Sequence, residues 1–276
     1  MRARFEDQIQ VDSNELTADE MYEQYMPHEL YRYHAINDYL FAQLDKSELW
    51  FSRPSRFNDP FDCRVKFNFG STDEEIERSR QNLIKLVEGN GFEQLFNLSE
   101  GQDIQPETWD ELLNQFIHTF YNERIAICCL SEIPDSILLW SHYANNHQGV
   151  CLEYHVQKHG FLHKELLPVN YYKEYPLVNM FEFEGTFYSL VMQNVVSKAW
   201  DWDYEYEWRA VVVDDEGLYP VDREDLRKVI FGVNTPKEDE DKLIKHLLEH
   251  GYDNVEIHKA VMNESKYEIL FEPYEF

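Results

Sequence analysis

The segment 124–130, RIAICCL, is an apolar run of strand length with no helical period, and it constrains the fold more than any other stretch. A strand that is apolar on both faces belongs inside a sheet that is covered on both sides. The segment 206–213, YEWRAVVV, alternates and then becomes wholly apolar, as a second sheet strand does. Shorter strand patterns occupy 30–34, 48–52, 64–69, 150–156, 166–172, 229–233, 255–261 and 267–271, with the last two read as a hairpin around Asn263-Glu264-Ser265. Helical spacing marks 37–46, 136–143, 185–198 and 236–248. In the third of these Phe187, Leu190, Val191, Asn194 and Val195 fall on one face, and in the last Pro236 opens the helix and Gly251 stops it. Strands and helices do not alternate strictly, so the pattern predicts an α+β fold with a mixed or antiparallel central sheet.

The 276 residues read as a single domain, with a polar N-terminal arm at 1–17 and a helical insertion at 71–122. The insertion opens with Asp73-Glu74-Glu75, placed well for a helix N-terminus, and Pro106 opens its second helix. Fifty-three acidic residues against 25 basic ones give a formal charge of −28, which disfavours broad binding of a nucleic-acid backbone. The start of the chain lacks an apolar signal core, and no apolar run approaches the length of a membrane span. Cys63, Cys128, Cys129 and Cys151 form no C-x-x-C pair. A cytoplasmic, reduced protein is therefore expected, with no membrane partner. Neither a G-x-G-x-x-G fingerprint nor a Walker loop is found.

Polar residues gather in three places. The first is the stretch 49–63, LWFSRPSRFNDPFDC, where a strand breaks into a loop with two prolines and two arginines. Six basic and six acidic residues lie between His28 and Lys66, an unusual balance for so acidic a chain, and arginine forks suit phosphate or pyrophosphate. Here Ser52 and Arg53 are expected to face a ligand. Asn58 and Asp59 are read mainly as loop-shaping residues, with Asp59 or Asp62 holding an arginine. The second is Trp140-Ser141-His142-Tyr143 with His147. Two histidines five apart, without a third ligand at recognisable spacing, make a poor metal motif, so no metal is expected in the protein and His142 reads as an acid, base or donor. The third is 203–209, DYEYEWR, where strand alternation would put Glu205, Glu207 and Arg209 on one face.

Four stretches, 30–38, 49–63, 127–154 and 202–213, together resemble the uncharacterised bacterial domain-of-unknown-function family 2971. The resemblance implies a compact bacterial cytoplasmic domain and marks Asn58, Asp59, Asp62, His142, Tyr143, His147, Glu207 and Arg209 as motif positions. The order of polar residues also resembles that of ADP-ribosyltransferases: an arginine or histidine on a first strand, a serine on a second, a late Glu-x-Glu. Arg32 or His34, Ser52 and Glu205-x-Glu207 stand in those places. This resemblance implies NAD, or a related nucleotide, as the small molecule bound, with Arg32, His34, Ser52, Arg53, Asn58 and Asp59 as binding residues. Glu207, Glu205, His142 and Tyr143 are then the catalytic candidates, in a transferase of bacterial defence or toxin type acting on a protein or small-molecule target. Two other readings stand beside it. One is a non-catalytic interaction module of a bacterial (phage) defence system. The other is a metal-dependent nuclease or hydrolase using Asp59, Asp62 and Glu207. An enzyme requires one cleft with accessible carboxylates, whereas a module would bury the same residues in saturated pairs.

Overall fold

The computed structural model describes residues 25–87, 123–213 and 215–276, together with residues 108, 111, 115, 119 and 120. The arm at 1–17 and most of the insertion at 71–122 lie outside the described residues. In chain order the described strands are β1 (Glu29–His34), β2 (Glu48–Phe51), β3 (Lys66–Asn68), β4 (Ile125–Ser131), β5 (Val150–His155), β6 (Leu166–Pro168), β7 (Asn170–Tyr172), β8 (Leu177–Asn179), β9 (Ser197–Ala199), β10 (Glu207–Val213), β11 (Gly217–Pro220), β12 (Leu226–Phe231), β13 (Glu256–Met262) and β14 (Ile269–Pro273). The α-helices that fall wholly within the described residues are α1 (Asp38–Lys46), α2 (Asp73–Val87), α3 (Ile137–Tyr143), α4 (Phe161–Glu165), α5 (Phe187–Val195) and α6 (Lys237–Glu249).

Eight strands form one sheet in the order β14-β13-β12-β5-β1-β4-β10-β6. Every neighbouring pair is antiparallel except β12 and β13, which are parallel and joined through α6. The fold is thus α+β with a mixed sheet. The apolar run 124–130 becomes the interior strand β4, flanked by β1 and β10. Its alternate residues feed two different cores. Ala126, Cys128 and Leu130 join α1, α6, Leu49 and Phe51 on one face of the sheet. Ile125 and Ile127 join Leu83, Leu190, Val191 and Val195 on the other. A third cluster, centred on Trp140, Tyr33 and Ile230, lies under α3. Serving two cores is the physical reason that β4 reads as continuously apolar.

Two expectations need adjustment. The segment 166–172 is not one strand: β6 pairs with β10, whereas β7 leaves the sheet to pair with β9. Pro168, which has no amide hydrogen, ends the first of them. Glu205 does not alternate with Glu207 on a strand. Residues Trp200–Glu205 wind as a 3₁₀ turn, and Tyr206 adopts φ 46° before β10 begins.

The turn between α3 and β5 is tightly held. Asn145, Asn146 and His147 all have positive φ, at 47°, 55° and 66°. Gly149 then passes directly against β1, where a Cβ would stand 2.0 Å from the His34 carbonyl oxygen. A backbone atom cannot yield as a side chain can. Gly149→Ala is therefore expected to lower the unfolding free energy by about 1–3 kcal/mol, the range for overpacking, as read by urea denaturation. Gly217→Ala, where no atom lies within 4 Å of the added carbon, should leave it nearly unchanged.

Candidate functional site

β1 and β4 pair at one register only, Tyr31↔Ser131, and then separate. Ser52, at the end of β2, takes over beside β4, bonding Ile127 through both backbone groups at 2.9 Å. A cleft of about 500 Å³ opens at this separation. Tyr31, Arg32 and His34 line it from β1, and Trp50, Ser52 and Asn58 from the region around β2. His142 and Tyr143 line it from the end of α3, and Lys198, Glu205 and Glu207 from β9, the 3₁₀ turn after it and the start of β10. Residues as far apart in sequence as Tyr31 and Glu207 thus meet in one place. A larger hollow of about 720 Å³, between α2 and 181–187, gathers none of the motif residues.

Local structure explains each placement. Asn37 caps α1 by accepting from the amides of Tyr39 and Leu40 at 3.1 and 3.2 Å, and Ser47 ends the helix in the left-handed region, which turns the chain into β2. Ser136 caps α3 by accepting from Leu139 N, and Trp140 Nε1 donates to the Pro134 carbonyl at 2.7 Å. This helix carries His142 and Tyr143 to the cleft. His142 stands edge-on to Trp202, with 6.0 Å between ring centroids. His147 belongs to the turn. Its ring pairs with Ser141 Oγ at 3.0 Å and stacks on Trp140, so it supports α3 and is absent from the cleft lining.

The loop 52–63 divides its residues between ligand and scaffold. Asp59 accepts from Phe61 N at 2.8 Å and from Trp202 Nε1 at 2.7 Å. It shapes the loop, as its residue type suggests. Arg53 points away from the cleft: its guanidinium donates to Asp215 at 2.8 Å and toward the Ile125 carbonyl. Of the expected binding residues, Arg53 and Asp59 are the two that the fold does not bring to the cleft lining. Arg56, which sequence reasoning did not single out, lines it and pairs with Glu216 at 2.5 Å.

At the inner end of the cleft lies a buried ion network. Lys198 Nζ donates to Glu205 Oε2 at 2.5 Å and to Glu207 Oε2 at 2.6 Å. Arg209, with no exposed surface, donates from Nε to Glu207 Oε1 at 2.8 Å and from Nη2 to both oxygens of Asp62 at 2.9 and 2.8 Å. Its Nη1 reaches Cys63 Sγ at 3.2 Å and also donates to the Val195 carbonyl. Asp62 thus holds an arginine, as expected of this loop, and the arginine is Arg209 of β10. Lys198 escaped sequence reading because it follows α5 and looks like the basic end of a helix. The one clue is a lone lysine in the otherwise uncharged run VVSKAW.

Three carboxylates face two cations in this network, and their pKa values part accordingly. Burial opposes the charge of Glu207, but Arg209 and Lys198 more than offset that and hold its carboxyl far below the usual range. Burial, aided by Glu207, pushes Glu205 up despite Lys198. Lys198 itself is held well above the ordinary value: burial works against its charge, and Glu207 and Glu205 prevail. Tyr143 donates to Glu205 Oε1 at 2.8 Å, and burial together with Glu205 raises its phenol. Burial, with Arg32 beside it, lowers His34 to about 3, so its imidazole is neutral at physiological pH. Arg32 spans the strand separation, donating to Cys128 Sγ and to the Trp50 carbonyl at 2.9 Å each.

These contacts separate the two glutamates. The oxygens of Glu207 receive three charged N–H bonds from Lys198 and Arg209. Each oxygen of Glu205 receives one bond, which leaves a lone-pair site on both. Ser52 Oγ accepts from Trp50 Nε1 at 2.8 Å and keeps its own proton to donate.

Residues 139–210 match the family described as "Protein of unknown function (DUF2971)". The match spans His142, Tyr143, Lys198, Glu205, Glu207 and Arg209, one wall of the cleft and most of the ion network. No curated protein and no solved structure matches the chain.

Removing one partner from a buried ion pair costs about 3–5 kcal/mol, because the other charge is left uncompensated. Arg209→Met should therefore lower the unfolding free energy by about that amount in a urea titration. Arg56→Met, which breaks an exposed pair, should cost less than about 1 kcal/mol.

Proposed function

We propose that this chain, whose residues 139–210 match DUF2971, binds a nucleotide of the NAD type in the β1–β4 cleft and transfers its ADP-ribosyl group. One observation carries the reading. Arg32 and His34, Ser52 and the Glu205-x-Glu207 pair come from three distant stretches, in the order expected of such a transferase, and line a single cleft. Its volume is that of a small-molecule site. Trp50, Tyr31 and Tyr143 offer ring surface for stacking, and Arg32 and Arg56 offer charge to a pyrophosphate.

The chemistry follows from the difference between the glutamates. Glu207 is committed to Arg209 and Lys198 and acts as a positioning residue. Glu205, with acceptor capacity left, bonds a ribose hydroxyl and stabilises positive charge at the anomeric carbon as the bond to nicotinamide breaks. The bonding electrons leave with the pyridine nitrogen, giving neutral nicotinamide. An acceptor oxygen or nitrogen, or water, then bonds the anomeric carbon and releases its proton. Ser52 and His34 hold the nucleotide. This places the sharper role on Glu205 and not on the last glutamate of the pair.

The interaction-module reading is favoured by the saturation of Glu207 and Asp62 in ion pairs. A nuclease using Asp59, Asp62 and Glu207 is disfavoured by the same contacts. Asp62 and Glu207 are neutralised by Arg209, and Asp59 is bonded to Trp202.

Incubation with NAD labelled on the adenylate, with and without cell lysate, tests the proposal. Release of nicotinamide or transfer of label is expected, with a loss of at least about 100-fold in Glu205→Gln, the scale for removing one electrostatic stabiliser. No release and no transfer by the unaltered protein would leave the module reading standing. The pH profile gives a second check. Only ionised Glu205 stabilises the developing cation, and its carboxyl is raised. Activity should therefore rise with pH through a midpoint above the ordinary glutamate value of 4.5. A midpoint at or below that value would contradict the assignment.

A further inference from the structure

We infer that Asp45, His246 and His250, none of which lines the cleft, form a divalent transition-metal site joining α1 to α6. His246 and His250 stand four apart, on the same side of the last turn of α6 and its cap, a spacing that brings two imidazoles to one ion. Asp45, in the last turn of α1, supplies the carboxylate. Its Oδ1 lies 2.9 Å from His246 Nε2 and 3.3 Å from His250 Nε2, and all three donor atoms fall within 4.8 Å of one another. Tetrahedral zinc, with bonds of about 2.0–2.1 Å, sets its donors roughly 3.3 Å apart. The group needs only small side-chain shifts to reach that geometry.

Two observations besides proximity point to a ligand. His250 Nδ1 lies 2.8 Å from the His246 carbonyl, a contact that places the ring proton on Nδ1 and leaves the Nε2 lone pair for a metal. His246 Nε2 is buried and has no hydrogen-bond partner, since Asp45 stands close but outside hydrogen-bonding alignment. An imidazole nitrogen this close to a carboxylate oxygen is unfavourable unless a proton or a cation is shared between them. The backbone adds to this. Both helices bring their C-terminal turns to the cluster, where the dipoles favour positive charge. Asp45 is half-exposed, so solvent can supply the remaining coordination position.

The run His246-Leu247-Leu248-Glu249-His250 also carries a glutamate beside the second histidine, as some zinc peptidases do. Glu249 here pairs with Lys245, 3.7 Å away, and lines a different surface hollow. The arrangement therefore assigns binding and not hydrolysis. Neutral imidazole and carboxylate donors suit zinc, and also nickel and cobalt.

Titration of the metal-free full chain with Zn²⁺ by calorimetry tests the site, with thermal unfolding as a second readout. The expected result includes one site that is lost in both Asp45→Asn and His250→Gln, two substitutions at half-exposed positions. At a hundredfold excess over Kd the Tm should rise by roughly 5–10 °C. Co²⁺ should give the intense visible absorption of a tetrahedral centre in the unaltered chain and not in these variants. His258→Gln, which removes a histidine from a different surface pair with Glu256, should change none of this. Absence of Zn²⁺ binding, or binding that survives both Asp45→Asn and His250→Gln, overturns the proposal. Equal loss in His258→Gln would show scattered surface binding and overturn it too.

Discussion

Arg209 is wholly buried, and a guanidinium cannot shed its charge to suit an apolar interior. The structure around it is organised by that constraint. Its partners come from three directions: Glu207 from its own strand, Asp62 from the loop after β2, and the Val195 carbonyl from the end of α5. Meeting these demands draws the 52–63 loop onto β10 and brings α5 to its stop. Because Glu207 is shared, the network continues to Lys198 and Glu205 and reaches the cleft wall. One buried charge thus fixes both the packing of the second core and the position of the carboxylates that face the cleft. Such a pair is weak as a source of net stability and strong as a constraint on geometry, since no partner can be withdrawn without stranding another.

The cleft owes its existence to a second constraint. A sheet in which β1 and β4 paired along their length would close over the space where Arg32, Ser52 and Glu205 meet. The two strands instead share one register position, and Ser52 occupies the edge that β1 leaves. Arg32 bridges the separation and blunts the cost of the unpaired edges by donating to Cys128 Sγ and the Trp50 carbonyl. A sheet opened at its middle, lined by aromatic rings and closed at one end by fixed charges, holds its polar groups in place through contacts within the fold.

Much of this was legible in the chain. The apolar run 124–130 gives the interior strand, Ser136 and Asn37 announce helix starts, and 255–261 with 267–271 reads as the hairpin that β13 and β14 form within one to two residues of those bounds. The polar stretches named Arg32, His34, Ser52, Asn58, His142, Tyr143, Glu205 and Glu207, all of which line the cleft. What stayed hidden depends on distance in the sequence or on local backbone. Nothing distinguishes Arg53 from Arg56 in the loop, yet a 3₁₀ turn at Pro54–Arg56 sends them to different acidic partners. Glu205 does reach the same side as Glu207, but through a 3₁₀ turn and a left-handed Tyr206 and not through strand alternation. Lys198 and Asp45 both sit where a helix ends, and a charged residue there is ordinary. Their significance comes from carboxylates and imidazoles that the fold brings from elsewhere.

A crystal structure of the chain grown with ADP-ribose would show where the ligand lies, independently of turnover. ADP-ribose is expected between β1 and β4, with a ribose hydroxyl within hydrogen-bond distance of Glu205, the pyrophosphate against Arg32, and Glu207 still held by Arg209. Density for ADP-ribose elsewhere, or a ligand bound in the cleft by Glu207 with Glu205 turned away, would contradict it.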